Sequence, residues 1–122
     1  MYRNQRNQVR HLTKQEYVAL KTLCRLSKNL YNATLYAIRQ YYFTEKKYLR
    51  YESAYHALKD NENYKLLNTD IAQQTMKVVD RNFKSFFALI NKAMQCDYKF
   101  SSIKLPHYLP KDGYFMLIIP RF

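Results

Sequence analysis

The sequence holds one glycine, no tryptophan and two cysteines in 122 residues. With Gly113 as its only glycine it has neither a GxxxxGK[ST] loop nor a GxGxxG turn to cradle a phosphate. Cys24 and Cys96 stand alone, without CxxC or histidine at ligand spacing, and read as reduced core thiols. His11, His56 and His107 are scattered, with no HxxxH or HExxH, and an isolated histidine is more often structural than ligating. Asp60 and Glu62 are the one close carboxylate pair, and they sit in a turn without a histidine. No metal, cofactor or catalytic set is therefore expected. No run approaches the ~20 apolar residues of a membrane span. Residues 1–12 are polar and basic, unlike a secretory leader, so the expectation is a cytoplasmic protein without a membrane partner.

Acid is also scarce. Nine Asp and Glu face 21 Lys and Arg, a net charge of +12. Such a surplus opposes compaction and attracts polyanions, nucleic acid first and anionic membrane second. What is abundant is aromatic: 13 Tyr and seven Phe, which suit both a core with wet edges and base stacking. At 48% hydrophobic residues the chain is expected to fold as one domain.

The longest patterned stretch, 68–95, reads as a helix. Asn68 is a good N-cap, Leu67 a staple before it, and Asp70 suits the positive end of the dipole. Ile71, Thr75, Val78, Val79, Phe83, Phe86, Leu89, Ile90 and Ala93 fall on one face. Gln73, Lys77, Arg81, Lys84 and Asn91 fall on the other, with Asp80 expected to pair with Lys77 and Lys84.

A second long helix starts at Thr13, where Thr13 and Glu16 form a capping box, and runs to Tyr42 or Phe43. Its apolar stripe is Tyr17, Leu20, Leu23, Cys24, Leu30, Tyr31, Leu35, Ile38 and Tyr42. Lys14, Lys21, Arg25, Lys28, Asn32 and Arg39 form a narrow opposing ribbon with no acid in it. Two readings stand for that ribbon: contact with phosphates, or a solvated face. Between the long helices, 48–59 reads as a short amphipathic helix and 60–63 as a polar turn. After Gln95 comes a basic loop, then the apolar run 114–119, which reads as a strand whose best partner is 2–11. Arg3, Arg6 and Arg10 then face phosphate and Asn4 the bases, unless the terminus is a solvated tail.

The expected architecture is mainly α with a small β part. A wedge-type strand in 1–12 and a returning loop and strand in 97–122 bracket a helical unit, 13–96. That unit is a hairpin of two long helices with a short middle helix.

The ordered residues Tyr2-Arg3-Asn4, Leu26-Ser27-Lys28-Asn29-Leu30-Tyr31-Asn32, Tyr48-Leu49 with Tyr51, and Lys59-Asp60-Asn61-Glu62-Asn63-Tyr64 resemble the N-terminal part of the TnpB (OrfB) family of insertion-sequence proteins. The likeness continues through Ala72-Gln73-Gln74, Val79-Asp80-Arg81, Phe83-Lys84-Ser85-Phe86-Phe87 and Lys111-Asp112-Gly113-Tyr114-Phe115. That family consists of transposon-encoded, RNA-guided DNA endonucleases in which a helical recognition domain interrupts a β-barrel wedge domain. The resemblance implies partners: a guide RNA scaffold and duplex DNA carrying a transposon-adjacent motif. By position, it places motif reading on Tyr51, Tyr55, Thr69 and Gln73, and Gln is apt because it can pair bidentately with adenine. The RuvC-like nuclease would lie beyond residue 122, so this chain is expected not to cleave. It would act in a prokaryotic, nucleoid-associated setting. Lys14, Lys21, Arg25, Lys28, Lys77, Arg81 and Lys84 are the expected phosphate contacts on the helices. Two other classes remain as readings: a tyrosine-rich dimerisation module, with strand exchange through the open edge of 114–119, and a membrane-surface protein.

Overall fold

The computed structural model describes residues 11–95 and 104–119. Four helices follow one another: α1 (Lys14–Glu45), α2 (Tyr51–Leu58), α3 (Glu62–Leu66) and α4 (Thr69–Gln95). The expected fold is thus met in its helical part. Among the described residues no strand forms, and the expected partner strand, 2–11, lies almost wholly outside them.

Local chemistry sets the helix ends. Thr13 Oγ1 accepts the Glu16 amide at 3.1 Å and lies 3.0 Å from the Glu16 carboxylate, to which it donates. Asn68 Oδ1 accepts the Asp70 amide at 2.9 Å, satisfying one of the free donors at the start of α4. α1 runs past Phe43 to Glu45 and stops at Lys46, which adopts the left-handed conformation (φ 55°) and donates its amide to Tyr42 O. Glycine is the usual residue there. The short α3 was not expected: Asn61 Oδ1 caps it through the Asn63 amide, turning the polar stretch into one helical turn that carries Tyr64 inward.

The two long helices run parallel. Ser27 meets Thr75, Tyr31 meets Asn82, and Tyr42 meets Phe87, so position increases together along both. The expected hairpin is corrected accordingly. α2 and α3 supply the return leg, α2 running antiparallel to α4 with Tyr48 against Phe87 and Tyr51 against Lys77. The register starts α4 about level with Lys21. The first turns of α1 therefore project beyond α4, and Tyr17 and Leu20, expected in the core, are exposed.

The core lies where α1, α2, α3 and α4 converge. Leu30, Leu35, Ile38, Met76, Val79 and Phe83 are fully buried there. Burying each side chain is worth roughly 1.5–3 kcal/mol. Between the two long helices, Ser27 and Thr75 share a hydrogen bond of 3.0 Å, and Ser27 reaches Met116 O at 3.0 Å. Both buried hydroxyls are thereby satisfied, as burial requires.

Residues 104–119 form an extended strap that lies along α1 in the opposite direction. Tyr108 sits by Arg39, Leu109 by Asn32, Lys111 by Lys28, and Tyr114 by Arg25. The run 114–119 expected as a strand instead packs on the helices. The Phe115 amide donates to Cys24 O at 3.1 Å, and the Phe115 ring lies 4.9 Å from that of Tyr31.

Candidate nucleic-acid interface

A groove of about 780 Å³ opens between α2 and the polar side of α4. Tyr48, Tyr51 and Phe87 are its aromatic walls, Arg50, Lys77 and Lys84 its cations, and Glu52, Asp80 and Asn91 its further polar groups. α4 positions the cations because Lys77 and Lys84 recur at helical spacing, two turns apart on one face. α2 positions the Tyr51 ring because Ala54 and Leu58 bury its other side; Tyr48 lies just before α2, and Phe87 comes from α4.

Asp80 differs from expectation. It is buried, not part of the exposed charged face. Lys84 Nζ lies 3.0 Å from Oδ2, as expected at i+4. The other oxygen accepts the hydroxyl of Tyr48, which also reaches the Asp80 carbonyl at 3.2 Å. Burial, and next the bond to this carboxylate, push the Tyr48 hydroxyl far above the usual phenol range. Lys77 does not pair with Asp80; its ammonium stands 5.5 Å from the centre of the Tyr51 ring. A desolvated position raises the Tyr51 hydroxyl as well.

Of the residues expected to read bases, Tyr55 and Gln73 both meet Tyr64, and Tyr51 shares α2 with Tyr55. Tyr51 and Tyr55 lie one turn apart on α2, and Gln73 and Lys77 one turn apart on α4. The Tyr55 ring meets Tyr64 at 5.9 Å, and Gln73 Nε2 donates to the Tyr64 hydroxyl at 3.4 Å. Gln73 is half-buried with that long, weak bond as its tether, so its amide can exchange partners. Thr69 is exposed at the first position of α4. Asn4, Arg3, Arg6 and Arg10 lie outside the described residues. Tyr48, Tyr64 and Arg50 join the site without having been singled out; only the three-dimensional return of α2 onto α4 brings them in.

The expected phosphate contacts divide. Lys77, Arg81 and Lys84 are exposed on α4, and Lys14 is exposed on α1. Lys28 is withdrawn: it is 5% exposed and donates to Lys111 O at 2.7 Å, so its charge holds the strap. Asn32 is spent similarly, on both backbone groups of Leu109. Lys21 and Arg25 stay at the surface but lean on the Tyr114 ring, 5.7 and 5.3 Å from its centre. Desolvation tends to raise the Tyr114 hydroxyl, but the Arg25 hydrogen bond and the two cations outweigh it and lower it.

Cys24 is half-buried, and burial raises its thiol. No helix among the described residues is long and apolar enough to cross a membrane. Among them, no three His, Cys, Asp or Glu side chains gather in a group able to hold a metal ion. No family model matches the chain, and no curated protein or solved structure matches it.

Proposed function

We propose that this chain is a nucleic-acid-binding module of the TnpB-like kind, built to hold a guide RNA scaffold and to contact a short motif in duplex DNA. The observation that carries the reading is the α2/α4 groove, where Tyr51 and three cations share one opening, with Gln73 one turn before Lys77 on α4 and Arg81 exposed one turn after it. Cations give sequence-independent affinity through phosphates, while amide and hydroxyl groups read base edges. In this reading the helical unit 13–96 is the counterpart of the recognition domain that, in the resembled family, interrupts a wedge-type β-barrel. The chain itself cuts nothing, and it works in the prokaryotic cytoplasm near the nucleoid.

Binding of duplex DNA and structured RNA tests this. Lys77→Ala should weaken binding to every sequence and flatten the salt dependence by roughly one unit, the contribution of about one phosphate. Gln73→Ala should narrow the gap between preferred and scrambled duplexes more than it lowers affinity. An unchanged salt slope in Lys77→Ala would remove the phosphate assignment.

One observation favours a second reading, self-association. Met116 and Ile119 are 59% and 73% exposed on an extended strap, an edge of the sort that invites pairing. A concentration-dependent mass in light scattering, abolished by Ile119→Lys, would support it.

A further inference from the structure

The α1–strap face carries a feature that the groove does not use. Taken at 100° per residue, Lys14, Tyr17, Lys21, Arg25, Arg39 and Phe43 fall within about 100° of one another on the α1 wheel. Both acids of α1, Glu16 and Glu45, fall outside that sector, and Asp112 is the one acid that the described strap adds. The strap lays two tyrosines on the same face. Lys21 stands 5.7 Å from the ring centres of both Tyr17 and Tyr114, and Arg25 stands 5.3 Å from that of Tyr114. About 21 Å further along α1, Arg39 lies 5.2 Å from the Tyr108 ring and 5.8 Å from that of Phe43. Tyr17, Phe43, Tyr108 and Tyr114 are all exposed. Between the clusters, Lys28 and Asn32 pin the strap. The strap tyrosines are therefore held in place before any ligand arrives.

We infer that this face is a second platform, for an unpaired stretch of nucleic acid whose bases stack on Tyr17, Tyr114 and Tyr108 while its phosphates meet Lys14, Lys21, Arg25 and Arg39. The inference rests on the nucleic-acid reading above but concerns a different surface and a different ligand form. Interleaved rings and cations suit a single strand, because every free base has a face to stack and every phosphate needs a charge. A duplex hides its base faces and would engage the cations alone. Pre-ordered rings lower the entropy lost on binding.

The test uses an unstructured oligo-uridine, an oligo-thymidine and a duplex, with the whole chain. Tyr114→Ala and Tyr17→Ala should each weaken binding of the single strands by roughly 5- to 150-fold, the range for loss of one stacked base. Duplex affinity should hold, and Tyr114→Phe should bind strands as the parent does. Because the chain has no tryptophan, Tyr114→Trp gives a lone reporter whose emission a stacked base should quench. Preference for oligo-uridine would assign the platform to RNA, and equal binding to unpaired strands of either sugar; both support it. Equal strand affinity in parent and Tyr114→Ala, or an unquenched Tyr114→Trp, would overturn it. Retained salt-steep duplex binding in that case leaves the groove reading standing. Failure of the parent to bind strand and duplex alike removes both.

Discussion

Asn32→Ala isolates the clamp that fixes the strap to α1. The Asn32 amide donates to Leu109 O at 3.1 Å, and its oxygen accepts the Leu109 amide at 2.8 Å. Each bond contributes about 1 kcal/mol net. Leu109 is only half-buried, so water can replace part of what is lost. A cost of about 2 kcal/mol follows, which raises the open fraction of the strap roughly 30-fold at 1.4 kcal/mol per decade. The Leu109 amide is the direct reporter, since Asn32 is its acceptor. Its hydrogen exchange should quicken by about that factor while amides in the α4 core, such as Val79, exchange as before. Lys28→Met should release Lys111 in the same manner, having lost the 2.7 Å bond to its carbonyl. An unchanged Leu109 rate in Asn32→Ala would refute the clamp. Equal acceleration throughout the core would show that the strap and the helices open as one unit.

Other expectations follow from single residues. Lys46→Gly should stabilise the fold by about 1 kcal/mol, read as a higher Tm, because it relieves the left-handed strain that ends α1. The hydroxyl of Tyr48 is raised in the fold, so it adds stability that is present below the ordinary phenol range near pH 10 and lost as pH climbs above it. Alkaline unfolding should thus be less steep in Tyr48→Phe than in the parent, and ultraviolet titration should show one late-ionising tyrosine fewer.

Much of the helical framework was legible because its signals are local. Thr13 and Glu16 marked the start of α1, and Asn68 and Leu67 that of α4; Leu30, Leu35, Val79 and Phe83 kept helical spacing and are all buried. The direction of α4 was not legible. Spacing within a helix says nothing about whether its neighbour runs with or against it, and the turn at Asn61 that makes α3 and completes the return is a side-chain to backbone contact. In the sequence the cationic ribbon of α1 shows only as charges lacking acids. Its partners are a carbonyl for Lys28, peptide groups for Asn32 and phenol rings for Lys21, Arg25 and Arg39. None of these appears as a charge in a sequence. The burial of Asp80 is hidden in the sequence for a related reason: it depends on Tyr48 arriving from outside α4. The gathering of Tyr51, Tyr55, Gln73 and Lys77, by contrast, follows positions already singled out.

Contact between the exposed cations of α4 and phosphates beside a base-reading groove is best tested by the salt dependence of binding to a duplex and to a structured RNA, in the parent and in Lys77→Ala with Arg81→Ala. The parent should bind both tightly at low salt, with a slope of about 0.7–0.9 log unit per phosphate neutralised. The double variant should be shallower by close to two such increments at unchanged helicity. Binding that ignores salt, or slopes that coincide between parent and variant, would contradict the account.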